Sequence, residues 1–201
     1  TGVQTCALPI SLAVPQLALA YAESGRPGDA ATQLERWAAT LPDADAARAA
    51  RWQAAGLYDR AGDSARALAI HLRAQQDPAG PLPQVVQSRW RLAEQARVHK
   101  RGRDEEQWLR SLRQADAAGG SARTEATRTL SARAALRLAE PLLQAYGQVA
   151  LAEPLKASLA RKQARFDAVQ AAYADAAATG SAAGQALATA ASADLYADFG
   201  R

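Results

Sequence analysis

The chain has 201 residues, a length that suits one domain or one stretch of a longer array. Its 49% hydrophobic and 22% charged residues are ordinary for a globular protein, and it contains no run of about 18 apolar residues that would predict a membrane span. Its one cysteine, Cys6, excludes a disulfide framework and a thiolate metal site.

The two ends of the sequence indicate a piece of a longer protein. There is no methionine, and the sequence stops at Phe199-Gly200-Arg201 in the middle of a helical pattern. The first ten residues, TGVQTCALPI, resemble a translated sequencing-adaptor tail of the kind found on metagenomic reading frames; the alternative is the frayed start of a helix. We therefore expect residues 1–10 to be a non-native tail that carries no structural information.

Charge is distributed unevenly along the chain. Residues 1–88 hold 7 basic and 8 acidic side chains, residues 89–165 hold 16 and 8, and residues 166–201 hold 1 and 4. The net charges of these segments are therefore −1, +8 and −3. The basic middle segment could favour an acidic partner.

Helices are the expected elements throughout. Alanine dominates the apolar residues; it has the highest helix propensity, and its small side chain lets helices approach closely. No segment shows the sustained alternation of a strand. The sequence predicts an all-α fold of about nine helices, with hairpins over residues 11–120 and longer helices over residues 121–201.

Two segments share one pattern in the first part of the chain. In each, a tyrosine (Tyr21, Tyr58) precedes a glycine (Gly25, Gly62) by four residues, an alanine follows the glycine by five, and a proline closes the unit. The glycines are 37 residues apart. Glycine can adopt the positive φ that ends a helix in a tight turn, and proline stops the second helix of each pair.

This pattern resembles the tetratricopeptide repeat over residues 14–78, in two units. A third, looser unit follows, in which Arg89–Ala93 matches Arg51–Ala55 but Gly102 comes two residues late and no tyrosine precedes it. The resemblance implies antiparallel helix pairs stacked as an α-solenoid.

Longer helices are predicted beyond Ser121, which we expect to be an N-cap. One helix should run to about Tyr146, and Pro154 fits the first turn of the next. That next helix carries an apolar seam at three- and four-residue steps, formed by Leu155, Leu159, Lys162, Phe166, Val169, Tyr173 and Ala176.

The sequence contains no constellation that indicates catalysis. Metalloprotease, serine-hydrolase, paired CxxC and phosphate-loop motifs are all missing. His71 and His99 lie in different units without ligand-like partners, and we expect the first to be packed and the second to be solvated. Asp63 and Ser64 fit a helix cap better than a nucleophile. We expect no enzyme activity, cofactor or metal.

The resemblance implies that the first helix of each pair lines a concave groove, which accepts an extended peptide or a partner helix. On this basis the expected groove residues are Trp52, Asp59, Arg60, Trp90, Glu94 and Arg97. Tryptophan and arginine are frequent binding hot spots. The alternative for the two tryptophans is packing between successive repeats.

A basic patch is expected at the turn between the two helices of the third unit. It is formed by Arg97, Lys100, Arg101 and Arg103. It could bind nucleic acid or another anionic surface. The alternative is a solvated turn in an arginine-rich protein, and no interleaved aromatic residues support the stronger reading.

The sequence therefore predicts a protein–protein interaction scaffold that binds a peptide or partner helix in a groove. The alternatives are a binding module for nucleic acid or an anionic surface, and the regulatory part of a larger enzyme. The stretch from Pro154 through Phe166 to Phe199 is similar to the tail of long bacterial tetratricopeptide proteins of the cell envelope. That similarity implies a periplasmic location, with the cytoplasm as the alternative.

Overall fold

The computed structural model describes residues 10–77 and 79–200, and every regular element in this part of the chain is helical. The all-α fold class is therefore confirmed. The predicted tail at residues 1–10 lies outside the described residues except for Ile10, the first residue of α1. The helices are α1 (Ile10–Glu23), α2 (Pro27–Ala38), α3 (Ala44–Ala61), α4 (Ser64–Ala74), α5 (Leu82–Val98), α6 (Gly102–Ala118), α7 (Glu125–Gly147), α8 (Leu155–Ala177) and α9 (Ala182–Phe199).

The chain divides into two compact units between Asp77 and Pro78. Unit 1 holds α1 to α4 and unit 2 holds α5 to α9, and each unit has hydrophobic clusters of its own. The division falls inside residues 11–120, which were expected to form one set of hairpins.

The two hairpins of unit 1 turn in the same way. Gly25 and Gly62 have φ values of 77° and 76°, in the left-handed region that glycine adopts without strain. The next residue in each turn donates its N–H to the tyrosine five residues earlier: Arg26 to the Tyr21 carbonyl and Asp63 to the Tyr58 carbonyl, both at 2.9 Å. These are the turns that the repeated pattern predicts, 37 residues apart.

The turn between α5 and α6 has the same hydrogen bond but a different central residue. Arg101 donates to the Ala96 carbonyl at 2.8 Å, and Lys100 takes the left-handed position with a φ of 55°. The equivalent of the earlier glycines is therefore Lys100, 38 residues after Gly62, and Gly102 instead begins α6. The search for a glycine misplaced this turn by two residues.

The helix caps differ in one place from those expected. Asp63 caps α4 by accepting a hydrogen bond from the Arg66 N–H, as predicted. Ser121, however, lies in a 3-10 turn, and Thr124 caps α7. Thr124 and Thr127 form a capping box, in which each side chain accepts a hydrogen bond from the other's backbone N–H. Ser121 was the wrong choice because the chain makes an extra turn before α7 begins.

Four of the seven residues in the predicted seam on α8 are buried. Phe166, Val169, Tyr173 and Ala176 pack against α7 and α9, whereas Leu155 and Leu159 are 52% and 47% exposed. Phe199, at the end of α9, contacts Phe166 with ring centroids 4.7 Å apart. The first turns of α8 therefore lie beyond the level at which α9 ends.

Alanine is the most frequent buried apolar residue in both units. Seventeen of the thirty buried apolar residues in the described part of the chain are alanines. The largest fully buried side chains are Tyr58 in unit 1 and Leu109, Leu112 and Tyr146 in unit 2. The helices therefore pack at close range, as the composition predicts. No helix in the described residues is long and apolar enough to cross a bilayer.

Candidate functional site

An apolar pocket opens between α1 and α3 in unit 1. Its volume is about 470 Å³, and α1 contributes one face to it through Pro15, Ala18, Leu19 and Ala22. The opposite wall comes from α3, through Trp52, Gln53, Gly56, Leu57 and Arg60, and Leu34 of α2 closes the floor. Leu19 is 59% exposed, so a large apolar side chain faces solvent at this pocket.

Trp52 is held in the wall of this pocket by a ring contact. Its indole meets the His71 ring edge-on, with centroids 5.6 Å apart and planes at 74°. His71 is 3% exposed, which confirms the prediction that it is packed. Trp52 is half-buried. The indole therefore both packs against α4 and lines the pocket.

Arg60 lies at one end of the same wall, and Asp59 does not line the pocket. Arg60 is exposed and forms no ion pair with any described side chain, whereas Asp59 is half-buried and engaged. The structure thus brings together Trp52 and Arg60 of the predicted groove residues in unit 1.

Trp90 occupies the matching position on α5, but it is surrounded differently. It packs at the edge of the cluster formed by α5, α6 and α7, and the Arg137 guanidinium lies 5.0 Å from the centre of its ring. Arg137 also pairs with Glu105 at 3.2 Å. A side chain of α7 thus covers the face of Trp90.

The other predicted groove residues of unit 2 are occupied by ion pairs. Glu94 lies 3.6 Å from Arg91 on its own helix. Arg97 donates to Glu140 of α7 at 3.1 Å and lies 3.9 Å from Glu105 of α6. The contacts of Arg97 thus connect α5 with α6 and α7.

The predicted basic patch is partly neutralised. Arg97 is paired as described, and Arg101 lies 3.4 Å from Asp104. Lys100 and Arg103 are exposed. His99 is exposed and shares a hydrogen bond of 2.6 Å with Gln95. Four basic side chains therefore share the turn, and acidic side chains of α6 and α7 contact two of them.

The described residues contain no assembled metal centre. No group of three or more histidine, cysteine, aspartate or glutamate side chains within them could hold a metal ion. Cys6 lies outside the described residues. The pocket between α1 and α3 presents apolar surface beside one guanidinium, that of Arg60.

Sequence reasoning expected the first helix of each pair to line a groove, but it named no residue of α1 as part of the site. Leu17 and Leu19 point to different sides of α1, and both are exposed, at 44% and 59%. The signal was present, because the apolar residues of α1 cover more of the helix surface than one buried stripe needs.

Comparison with known proteins identifies no relative. No protein-family model, no curated protein and no solved structure matches the chain.

Proposed function

We propose that the chain is part of a protein-interaction scaffold that binds a peptide or a partner helix in the pocket between α1 and α3. The observation that carries this proposal is the apolar pocket of about 470 Å³ with Leu19 standing exposed at it. Apolar surface in a concave site is typical of ligand-binding grooves. Tryptophan and arginine, both frequent hot-spot residues, lie in its wall.

A tetratricopeptide-like architecture is part of the same proposal. It is supported by the turns at Gly25 and Gly62, which share their φ values and their hydrogen bond. It is also supported by the buried alanines at the helix contacts, such as Ala30 and Ala67, which follow each glycine by five residues. In that architecture α1 and α3 are the first helices of their pairs and would line the groove.

The alternative of a nucleic-acid or anionic-surface module has less support. Ion pairs to Glu140 and Asp104 already satisfy Arg97 and Arg101 in part, which lowers the positive potential of the patch. Retention on heparin that falls steeply with added salt would favour this alternative. For the second alternative, a regulatory part of an enzyme, the complete reading frame is the informative observation.

The proposed location is the bacterial cell envelope, on its periplasmic side, with the cytoplasm as the alternative. It rests on the resemblance of the C-terminal third to envelope proteins. Fractionation of the source bacterium with an antibody against the chain would decide between the two compartments.

The experiment that tests the proposed function uses a displayed library of random peptides. Peptides selected on the intact chain should lose at least about tenfold in affinity when Leu19→Asp places a charge in the pocket, since an unpaired charge there opposes apolar contact. Leu72→Asp is the matched control, because Leu72 of α4 is 49% exposed and does not line the pocket. Equal loss in both variants, or loss in neither, would contradict the proposal.

Trp52→Ala separates the two roles of the indole. If the ring mainly contacts the ligand, the selected peptides should lose affinity while the melting temperature changes little. A drop in melting temperature of more than about 5 °C would mark Trp52 as a packing residue of unit 1, because that shift corresponds to more than 1 kcal/mol in a chain of this size.

A further inference from the structure

Arg60 lines a second cavity as well as the apolar pocket. This second cavity, which we call the basic notch, has a volume of about 550 Å³ and lies beside the turn between α1 and α2. Its wall includes Arg26, Arg60 and Arg66, and Asp29 is the acidic side chain among its lining residues. The notch therefore presents three guanidinium groups and one carboxylate.

Two of the three arginines are already held in place. Arg26 pairs with Asp29 at 2.7 Å and lies over the Tyr21 ring at 4.7 Å. Arg66 lies 3.4 Å from Asp63 and 5.4 Å from the centre of the Tyr58 ring. Stacking on an aromatic ring fixes the direction of a guanidinium without consuming all of its donors.

Arg60 differs from these two because it has no acidic partner among the described side chains. Its five donors remain available in the fork geometry that matches a carboxylate. The α2 helix also begins in the notch, at Pro27, without a side-chain cap. Its positive end adds to the potential of the guanidinium groups.

Leu19 and Arg60 line the same apolar pocket, and Arg60 also lines the basic notch. A ligand that fills the pocket with a large apolar side chain therefore brings its neighbouring residues to the guanidinium. An acidic neighbour would gain a charge-assisted pair there, and a basic neighbour would be repelled.

We propose that the partner segment carries a glutamate or aspartate within four residues of a large apolar side chain, with the apolar group in the pocket of unit 1 and the carboxylate on Arg60. This inference rests on the proposed function and names the chemistry of the ligand. The carboxylate sets the orientation of the segment along α3, because the apolar pocket alone does not distinguish its two directions.

The test uses dye-labelled twelve-residue peptides with blocked ends, so that one internal glutamate is the only anion of the peptide chain. Each contains one leucine three or four residues from that glutamate in a background of serine and glutamine. A twin replaces the glutamate by glutamine, and a second twin replaces the leucine by serine. Binding is measured by fluorescence anisotropy at 0.05 and 0.5 M salt.

We expect the glutamate peptide to bind about fivefold more tightly than its glutamine twin at low salt, as for an accessible arginine–carboxylate pair. Arg60→Gln should remove this preference. Arg36→Gln should keep it, because Arg36 is also an exposed arginine of unit 1 but lines neither cavity. Leu19→Ala should weaken the binding of the glutamate peptide and of its glutamine twin by the same factor.

Four results would overturn the inference. The preference for glutamate could survive in Arg60→Gln, or it could be lost equally in Arg36→Gln. The leucine-to-serine twin could bind as well as the parent peptide, which would show that binding of the carboxylate does not depend on an apolar side chain in the pocket. Absence of binding by every designed peptide would overturn it too. The random-library experiment with Leu19→Asp would still report on the proposed function, so failure of the two is distinguishable.

Discussion

At the scale of single residues, equivalent positions in the sequence have different surroundings in the structure. Trp52 and Trp90 occupy matching places on α3 and α5, yet one lines a pocket and the other lies under Arg137. The pattern identifies the position on the helix, but the neighbour that covers it is supplied by a distant part of the chain. A sequence pattern cannot contain that information.

Lys100 carries backbone strain that its two equivalents avoid. It is the only non-glycine residue with positive φ in the described part of the chain. The left-handed conformation costs an ordinary residue about 1–2 kcal/mol, while glycine loses part of that advantage through its greater freedom when unfolded.

Lys100→Gly should therefore stabilise the protein by about 1 kcal/mol, which raises the melting temperature by roughly 2–4 °C in a chain of this length. Calorimetry on the purified variant measures the shift. Two comparisons sharpen the result: Lys100→Ala should give no comparable gain, and Gly62→Lys should lower stability by a similar amount. A melting temperature unchanged in all three variants would show that the turn carries no such strain.

At the scale of helices, much of the architecture follows from local signals. The ends of α1 and α3 at Gly25 and Gly62, the cap at Asp63 and the start of α8 beside Pro154 all have a local cause, and all were predicted. The signals failed where a turn used an unexpected residue, at Lys100 and Thr124. They also failed where burial depends on a neighbour, as at Leu155 and Leu159. Binding surfaces belong to this last class, so the pocket residues of α1 were not named in advance.

One carboxylate joins the beginnings of two helices in unit 2. Glu125, the first residue of α7, accepts hydrogen bonds from the Ser181 hydroxyl at 2.8 Å and the Ala182 N–H at 3.0 Å, at the start of α9. The Ser181 hydrogen bond lowers the pKa of Glu125 below its ordinary value of 4.5, and the Ala182 N–H and Arg128 act in the same direction. The charged form thus supports two helix N-termini.

The stabilisation from Glu125 should consequently depend on pH. A carboxylate with a lowered folded-state pKa stabilises the native state above its unfolded-state pKa, and the effect disappears as pH falls through the folded-state pKa. The difference in melting temperature between the wild-type protein and Glu125→Gln should be constant from pH 7 to about 5.5 and should shrink towards pH 3.

A control for general acid effects is Glu106→Gln, which removes an exposed pair with Arg110 inside α6 and touches no second helix. Its effect on the melting temperature should be smaller than that of Glu125→Gln at neutral pH. If Glu125→Gln melts at the wild-type temperature at pH 7, the shared carboxylate contributes nothing to stability.

At the scale of the whole chain, each unit has the components of a folding unit. The cluster of unit 1 draws on α1 to α4, with Tyr58 as its largest fully buried side chain and a hydrogen bond of 2.9 Å from its hydroxyl to Glu35. The clusters of unit 2 draw on α5 to α9.

We therefore expect residues 1–77 and 78–201, expressed separately, each to remain helical. Circular dichroism should show helix in both, and each should melt cooperatively. The shorter fragment should melt at the lower temperature, because a chain of that length buries a smaller fraction of its surface. A fragment that shows no cooperative transition while the whole chain does would mean that the units depend on each other.

The alanine-built core has a genetic consequence. Every alanine codon is one base change from valine, threonine, serine, proline, glycine and either aspartate or glutamate, and nearly all of these are bulkier, more polar or incompatible with a helix. Ala30, Ala54 and Ala134 are fully buried, so a larger side chain at these positions has to displace its neighbours. Gly184 is tighter still, since an added Cβ would lie 2.5 Å from that of Ala132. Random point mutations in this core should therefore destabilise the protein mainly by introducing side chains that are too large. In proteins with leucine-rich cores, substitutions destabilise mainly by leaving cavities.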